Sequence, residues 1–402
     1  MKMKKGYAPK LRFPEFQNDV GWDIATVGSK ATKVGSGITP KGGDKNYKKS
    51  GRPFIRSQNI GWGHLILDDV AFIDDDTHST FSSTEIKAND VLLNITGASI
   101  GRSAVADSDI QGGNVNQHVC IIRTKKSELK PYFLNQYLLS SDGQKQIDSF
   151  QAGGNRQGLN FAQIRSFSFL LPSVKEQQKI ADCLSSLDSM ISLQTQKIDA
   201  LQQYKKGLTQ KLFPAEGEMV PELRFGGFRD SANWDKKALN KLLTIGSGKD
   251  YKHLSTGNIP VYGSGGYMLS VNDYLYDGES VCIGRKGTID KPIFLTGKFW
   301  TVDTLFYTHS FIKCSPKFIF YQFQKINWKN YNEAGGIPSL SKTTIGKIEI
   351  PIPSFVEQQK IADCLSSLDR FITHETQKLT ALKTHKTGLM QQLFPEMDEV
   401  KA

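Results

Sequence analysis

No stretch of this 402-residue chain approaches 18 consecutive apolar residues, so an ordinary transmembrane helix is excluded. The basic start, MKMKKGYAPKLRFPEF, is followed by no apolar segment, and no secretory signal peptide is expected. Cysteine is scarce. Cys120, Cys183, Cys282, Cys314 and Cys364 are odd in number and form no C-x-x-C, which argues against a disulfide framework and fits free thiols in a reducing cytoplasm. The seven histidines are scattered, and none lies at metal spacing from a cysteine. Catalytic signatures are missing as well. G-x-x-x-x-G-K-[ST], G-x-S-x-G, H-E-x-x-H and the Asn-Pro-Pro-aromatic pattern of amino-methyltransferases do not occur. Gly246-Ser247-Gly248-Lys249 is too short to cradle phosphate, and Asp74-Asp75-Asp76 reads as a solvated turn rather than a metal site.

What is present is a duplication. Residues 172–188 read PSVKEQQKIADCLSSLD, and residues 353–369 repeat them except for Phe355-Val356 in place of Val174-Lys175. Both copies run on to the same ending, Leu212-Phe213-Pro214 and Leu393-Phe394-Pro395. A lead-in segment recurs too: Pro9-Lys10-Leu11-Arg12-Phe13 and Trp22 match Pro221-Glu222-Leu223-Arg224-Phe225 and Trp234. The chain is therefore a tandem repeat of lead-in, variable region and long helix. Expected boundaries are a first domain over 1–171, a helix over 172–214, a second domain over 215–352, a helix over 353–395 and a tail over 396–402.

Each long helix opens on S-x-x-E, Ser173 with Glu176 and Ser354 with Glu357, the pattern of a capping box. About 39 residues at 1.5 Å each make a rod of roughly 58 Å. Leu184, Leu187, Ile191, Ile198, Leu201, Leu208 and Leu212 follow 4-3-4-3 spacing, as do Leu365, Leu368, Ile372, Leu379, Leu382, Leu389 and Leu393. That is a coiled-coil seam. Polar residues interrupt it at Gln194, Lys205, Glu375 and Lys386. An antiparallel pairing that sets Gln194 against Lys386 and Lys205 against Glu375 leaves the remaining seam apolar and fixes the register. Two amphipathic helices buried in separate cores are the alternative.

The variable regions read as α+β. Short strands are expected at 52–55, 91–95, 104–105 and 118–122, then at 260–262, 280–283, 292–295 and 304–308, with helices at 130–140, 144–150 and 315–325. A strand feeds each long helix, at 166–171 and 347–352. Two loop segments keep a trace of homology: 95–102 lies where 283–289 lies, and 153–160 where 335–341 lies.

Net charge is +11 with a pI near 9.2, pointing to an acidic partner. Residues 1–60 carry 13 Lys/Arg against 4 Asp/Glu, many of them in the Gly-rich loop that holds Lys41, Lys45, Lys48, Lys49 and Arg52. Such loops suit backbone phosphates, whereas reading bases needs the directional donors and acceptors of Arg, Asn, Gln and Lys. Candidates in the first region are Arg56, Gln58, Asn59, Thr96, Arg102, Asn114, Asn116, Gln117, Asn155 and Arg156. Those in the second are Lys249, Lys252, Arg285, Lys286, Ser339, Ser341 and Lys342. Two related but different modules would read two different half-sites on one duplex.

The tandem arrangement, the repeated E-Q-Q-K-I-A helix start and the L-F-P ending resemble the specificity subunit of type I restriction–modification systems over essentially the whole chain. The resemblance implies two target-recognition domains that read a split, asymmetric site in double-stranded DNA, on an antiparallel coil acting as spacer. It implies two separate methyltransferase subunits carrying S-adenosylmethionine, and a restriction/motor subunit driven by ATP with Mg. The specificity chain itself is implied to have no catalysis and no cofactor, and to be cytoplasmic. Methyltransferase docking is expected on an exposed face of both helix starts, Glu176, Gln177 and Lys179 with Glu357, Gln358 and Lys360. A DNA-binding scaffold of another system and a stand-alone DNA-modifying enzyme are the rival classes.

Overall fold

The computed structural model describes residues 7–151 and 158–395. They fall into two compact units, one drawn from 1–195 and 377–402 and the other from 196–376. The long helices span Val174–Leu212 and Phe355–Leu393, so each helix contributes one part to each unit. The expected boundaries describe chain order, while the compact bodies are interleaved.

In the first unit Ala31–Ser36, Val119–Thr124, Val91–Asn94 and Ser103–Val105 form an antiparallel sheet. A second sheet joins Arg52–Ile55 to Ala71–Ile73 and, in parallel, to Asn114–Val115. Pro131–Leu139 and Ser141–Ser149 are helices. The second unit repeats the antiparallel sheet with Thr244–Ser247, Leu305–His309, Ser280–Gly284 and Ile293–Leu295. Its other sheet has four strands, built around Thr256–Gly263. In both units the strand after the repeated Trp pairs with the strand feeding the long helix: Asp23–Thr26 with Ser168–Leu171, and Asp235–Ala238 with Glu349–Ile352.

The repeated residues are the ones that meet. In the first unit Phe394, from the end of the second long helix, packs on Phe133, which packs on Trp22, with ring centroids 5.4 and 6.3 Å apart. In the second unit Phe213, Phe318 and Trp234 form the matching trio at 5.3 to 6.1 Å. Ile180, Ala181 and Leu184 share the first core with Leu393, and Leu212 shares the second with Ile361, Ala362 and Leu365. Within each unit the start of one long helix therefore lies against the end of the other, and the two segments run antiparallel.

The polar partners in this coil differ from those expected. Lys386 Nζ lies 2.6 Å from Asp188, Lys205 Nζ 2.5 Å from Asp369, and Glu375 pairs with Lys197 at 3.1 Å. A lysine side chain is long enough to reach along the helix to a carboxylate on a neighbouring turn: Lys386 takes Asp188 rather than an amide, and Lys205 takes Asp369 while Lys197 takes Glu375. Each aspartate also accepts a hydrogen bond from a helix of its own unit, Asp188 from Gln136 and Asp369 from the Tyr321 hydroxyl, both at 2.7 Å.

The helix starts are also held differently. Ser173 and Ser354 accept from the backbone N–H of Glu176 and Glu357, but neither glutamate turns back to complete a capping box. Glu176 instead takes a bidentate pair from Arg12, with both distances 2.8 Å, and Glu357 takes one from Arg224 at 2.9 and 2.6 Å. These side chains are nearly dry, Arg224 and Glu357 being 6% and 2% exposed. The hydrogen bonds to glutamate hold both guanidinium groups above the ordinary arginine pKa despite burial.

Arg224→Ala would leave the Glu357 carboxylate buried and alone. It is expected to destabilise the second unit by about 3–5 kcal/mol, and Arg224→Met with Glu357→Met by clearly less. Urea unfolding of the three proteins checks this.

Candidate nucleic-acid interface

The best-formed cleft among the sequence candidates lies in the second unit. Arg285, Lys286, Ser339, Ser341 and Lys342 line one space of about 620 Å³ together with Asp303 and Glu333. Two loops build it. Lys286 and Ser339 form an isolated β-bridge, Leu340 N–H donates to Arg285 O at 2.9 Å, and Gly287 N–H donates to Pro338 O at 2.9 Å. Gly287 holds a φ of 88°, the left-handed region that a side chain would strain. The Arg285, Lys286 and Lys342 side chains are exposed. Ser341 is committed elsewhere: its hydroxyl accepts from Thr344 N–H at 3.1 Å as a helix cap and donates to Glu333 at 2.8 Å. Hydrogen bonds from Thr344 and Ser341 hold the Glu333 carboxyl below its ordinary pKa, so it is ionised at neutral pH. Lys249 and Lys252 are exposed but lie outside this lining.

The first unit repeats the joined loops. Thr96 bridges Gly158, and Leu159 N–H donates to Ile95 O at 2.9 Å. Asn155 and Arg156 lie outside the described residues. Thr96 Oγ1 is 2.6 Å from His118 Nδ1, and the exposed Gln117 meets both His118 and Thr39. His118 closes the candidate loop 114–118, whereas Thr39 was missed as a site residue; its signal was only adjacency to the basic loop. In the second unit Glu333 and Asp303 were missed, because isolated acids carry no pattern. Lys41, Lys45 and Lys49 are exposed, while Lys48 pairs with Asp74 at 3.3 Å.

Several first-region candidates have partners within the unit, and three of them, Asn59, Asn114 and Asn116, are buried. Asn114 is fully buried: His78 Nδ1 donates to its Oδ1 at 2.7 Å, and its Nδ2 donates to Thr84 and to Phe81 O. Asn59 is buried and ties Arg56 N–H to Ile66 O and Asp69 O. Asn116 is buried and accepts from His118 N–H. Arg56 and Gln58 both bind Asp69, and Arg52 binds Asp75 and Gly112 O. Arg102 is partly buried, with Nε enclosed.

The expected docking face is largely internal. Glu176 and Glu357 are the carboxylates of the buried arginine pairs. Gln177 is buried, accepting from Lys130 N–H at 2.8 Å and donating to Glu128 O and Pro172 O. Gln358 does the same with Ser315, Lys313 and Pro353. Lys179 and Lys360 keep to the surface, over the Phe13 and Phe225 rings at 5.7 and 6.0 Å, and Lys179 pairs with Glu15 at 3.0 Å.

A scaffold repeated twice, each copy carrying a joined pair of divergent loops, defines a tandem recognition protein. The model of the type I restriction modification DNA specificity domain matches residues 20–203 and 231–384. The chain belongs to that family. It is 23% identical to a putative type I restriction enzyme MjaX specificity subunit of Methanocaldococcus jannaschii, over 94% of both chains. It is 24% identical to a putative type I specificity subunit of Mycoplasma genitalium, over 76% of this chain and 81% of that one. The crystal structure of a type I restriction–modification system S subunit from M. genitalium shares the fold, with a TM-score of 0.70 and 17% identity over 96% of this chain and 99% of that one.

Asn114→Ala is expected to lower the stability of the first unit by about 1–3 kcal/mol, since it strands buried polar groups. Thermal unfolding with and without DNA checks it: a normal melting temperature with lost binding would restore Asn114 to the interface.

Proposed function

We propose that this chain reads a bipartite, asymmetric site in double-stranded DNA and directs methylation and cleavage by partner subunits, without chemistry of its own. The observation that carries the reading is the bridged loop pair present in both units, Thr96 with Gly158 and Lys286 with Ser339, on which the surrounding side chains differ. An equivalent frame with unequal side chains suits two unequal half-sites. Arg285 is the base reader of the second unit, with Lys286 and Lys342 on the phosphates. In the first unit Gln117, Thr96 and His118 take that role, and Lys41, Lys45 and Lys49 hold the backbone. The net charge of +11 supports the same partner. The setting is cytoplasmic; among the described residues no helix is long and apolar enough to cross a membrane.

Two methyltransferase subunits would dock at equivalent places, and S-adenosylmethionine, ATP and Mg would belong to these and to the restriction/motor subunits. With Glu176, Gln177, Glu357 and Gln358 buried, the surfaces left for docking are Lys179, Lys360 and a groove beside each arginine clip. The groove at Arg12, Asp19 and Ser173 has a volume of about 730 Å³. The groove at Arg224, Ser231 and Ser354 has about 860 Å³. Equivalent surfaces on each repeat suit two copies of one partner.

Arg285→Ala is expected to relax recognition of one half-site by roughly 1–3 kcal/mol and leave the other unchanged. Methylation-sensitive sequencing of a host carrying the variant reads this; uniform loss across all sequences would remove Arg285 from base reading. A heptad inserted into both long helices is expected to lengthen the unread gap by about three base pairs, given 1.5 Å per helical residue and 3.4 Å per base pair. An unchanged methylated motif would reject the helices as the ruler.

A further inference from the structure

Residues 332–341 of the second unit form a loop tied down at its base and bare at its tip. Asn332 Oδ1 accepts from Ala334 N–H at 3.2 Å and Ser339 N–H at 2.8 Å, and Glu333 N–H donates to Ser339 O at 3.0 Å. Pro338 O and Leu340 N–H are bonded across to the loop of Arg285 and Lys286. Between these ties runs Gly335-Gly336-Ile337-Pro338, and Ile337 is 62% exposed. A single exposed isoleucine is ordinary on a protein surface. This one is held by a hydrogen-bonded loop, ahead of a proline, beside three exposed cations.

We propose that Ile337 is a specificity-determining residue that packs on the 5-methyl group of a thymine in the half-site read by the second unit. The inference rests on the DNA-reading role of that unit. Its steps are chemical. An arginine that discriminates bases does so best on guanine O6 and N7, which lie on the major-groove edge. The Ile337 loop is bonded directly to the backbone of Arg285 and Gly287, so it meets the same groove. On that edge the thymine 5-methyl is the one apolar group a base presents. Lys286 and Lys342 flank the loop with the charge that holds a duplex there. Ile337 contributes shape and apolar contact but no hydrogen bond, so it adds selectivity where Arg285 adds polarity.

The experiment uses the full chain assembled with its methyltransferase subunits. The half-site of the second unit is first identified as the one altered by Arg285→Ala. Each of its thymines is then replaced in turn by deoxyuridine, which removes only the methyl group, and binding is measured for the wild type and for Ile337→Ala. One replacement is expected to weaken wild-type binding about three- to tenfold, the size of one methyl contact. Ile337→Ala should lose a similar factor on the thymine duplex and be indifferent to that replacement, with an unchanged melting temperature. A half-site without thymine, wild-type binding unaffected by every replacement, or a variant that still distinguishes thymine from deoxyuridine would each overturn the assignment. Failure of the underlying reading looks different: Arg285→Ala would then alter neither half-site.

Discussion

The buried pair of an arginine from the lead-in segment and a glutamate from the first turn of a long helix is the constraint on which each unit depends. Removing two charges from water is costly, and only excellent geometry offsets it. Here the geometry is bidentate, and the remaining guanidinium donors reach backbone carbonyls: Asp19 and Val20 for Arg12, Ser231 and Ala232 for Arg224. The residue before each arginine is bonded to the end of the other long helix, Leu11 N–H to Gln392 O and Leu223 N–H to Lys211 O. A five-residue stretch thus fastens a helix end to a helix start. That explains why P-x-L-R-F and E-Q-Q recur together: the glutamate and the first glutamine of the helix start each have an internal partner, and a change in one copy breaks a specific contact.

Above this frame the sequence is free to diverge, and the two units show how far. Their first sheets correspond strand for strand, yet the second sheets have three strands and four. The joined loops survive because the connection is made by backbone: Leu159 to Ile95 in one unit and Leu340 to Arg285 in the other. Backbone hydrogen bonds do not depend on which side chains flank them, so a loop pair can change its side chains while keeping its place.

The elements that were legible in the sequence were those with local causes. Both 39-residue helices and the strands at Arg52–Ile55, Val91–Asn94 and Ser280–Gly284 follow from periodicity and from turn residues between them. The loops of Arg285 and Ser339 were legible because paired Gly-rich segments kept a trace of homology. What failed had non-local causes. Glu176 fits a capping box by spacing, and only the fold shows that Arg12, 164 residues earlier, takes its carboxylate. Asn59, Asn114 and Asn116 looked like base readers because amides suit bases, but amides also suit turns and buried polar junctions. Sequence alone does not separate the two uses. The ion partners within the coil were missed for a related reason: heptad positions rank residues by face, while Lys205 and Lys386 choose partners by reach.

The aspartates at 188 and 369 show why a helix can fix the place of a recognition domain. Asp188 accepts from Lys386 of the other long helix and from Gln136 of the domain; Asp369 accepts from Lys205 and Tyr321. The same carboxylate therefore sets helix pairing and domain docking, and neither can shift without breaking both contacts. The two connections are short: Ser168–Leu171 reaches the first long helix through Pro172 and Ser173, and Glu349–Ile352 reaches the second through Pro353 and Ser354. Within each unit the domain is therefore seated on both long-helix segments at once, through one carboxylate that serves the helix pair and the domain together.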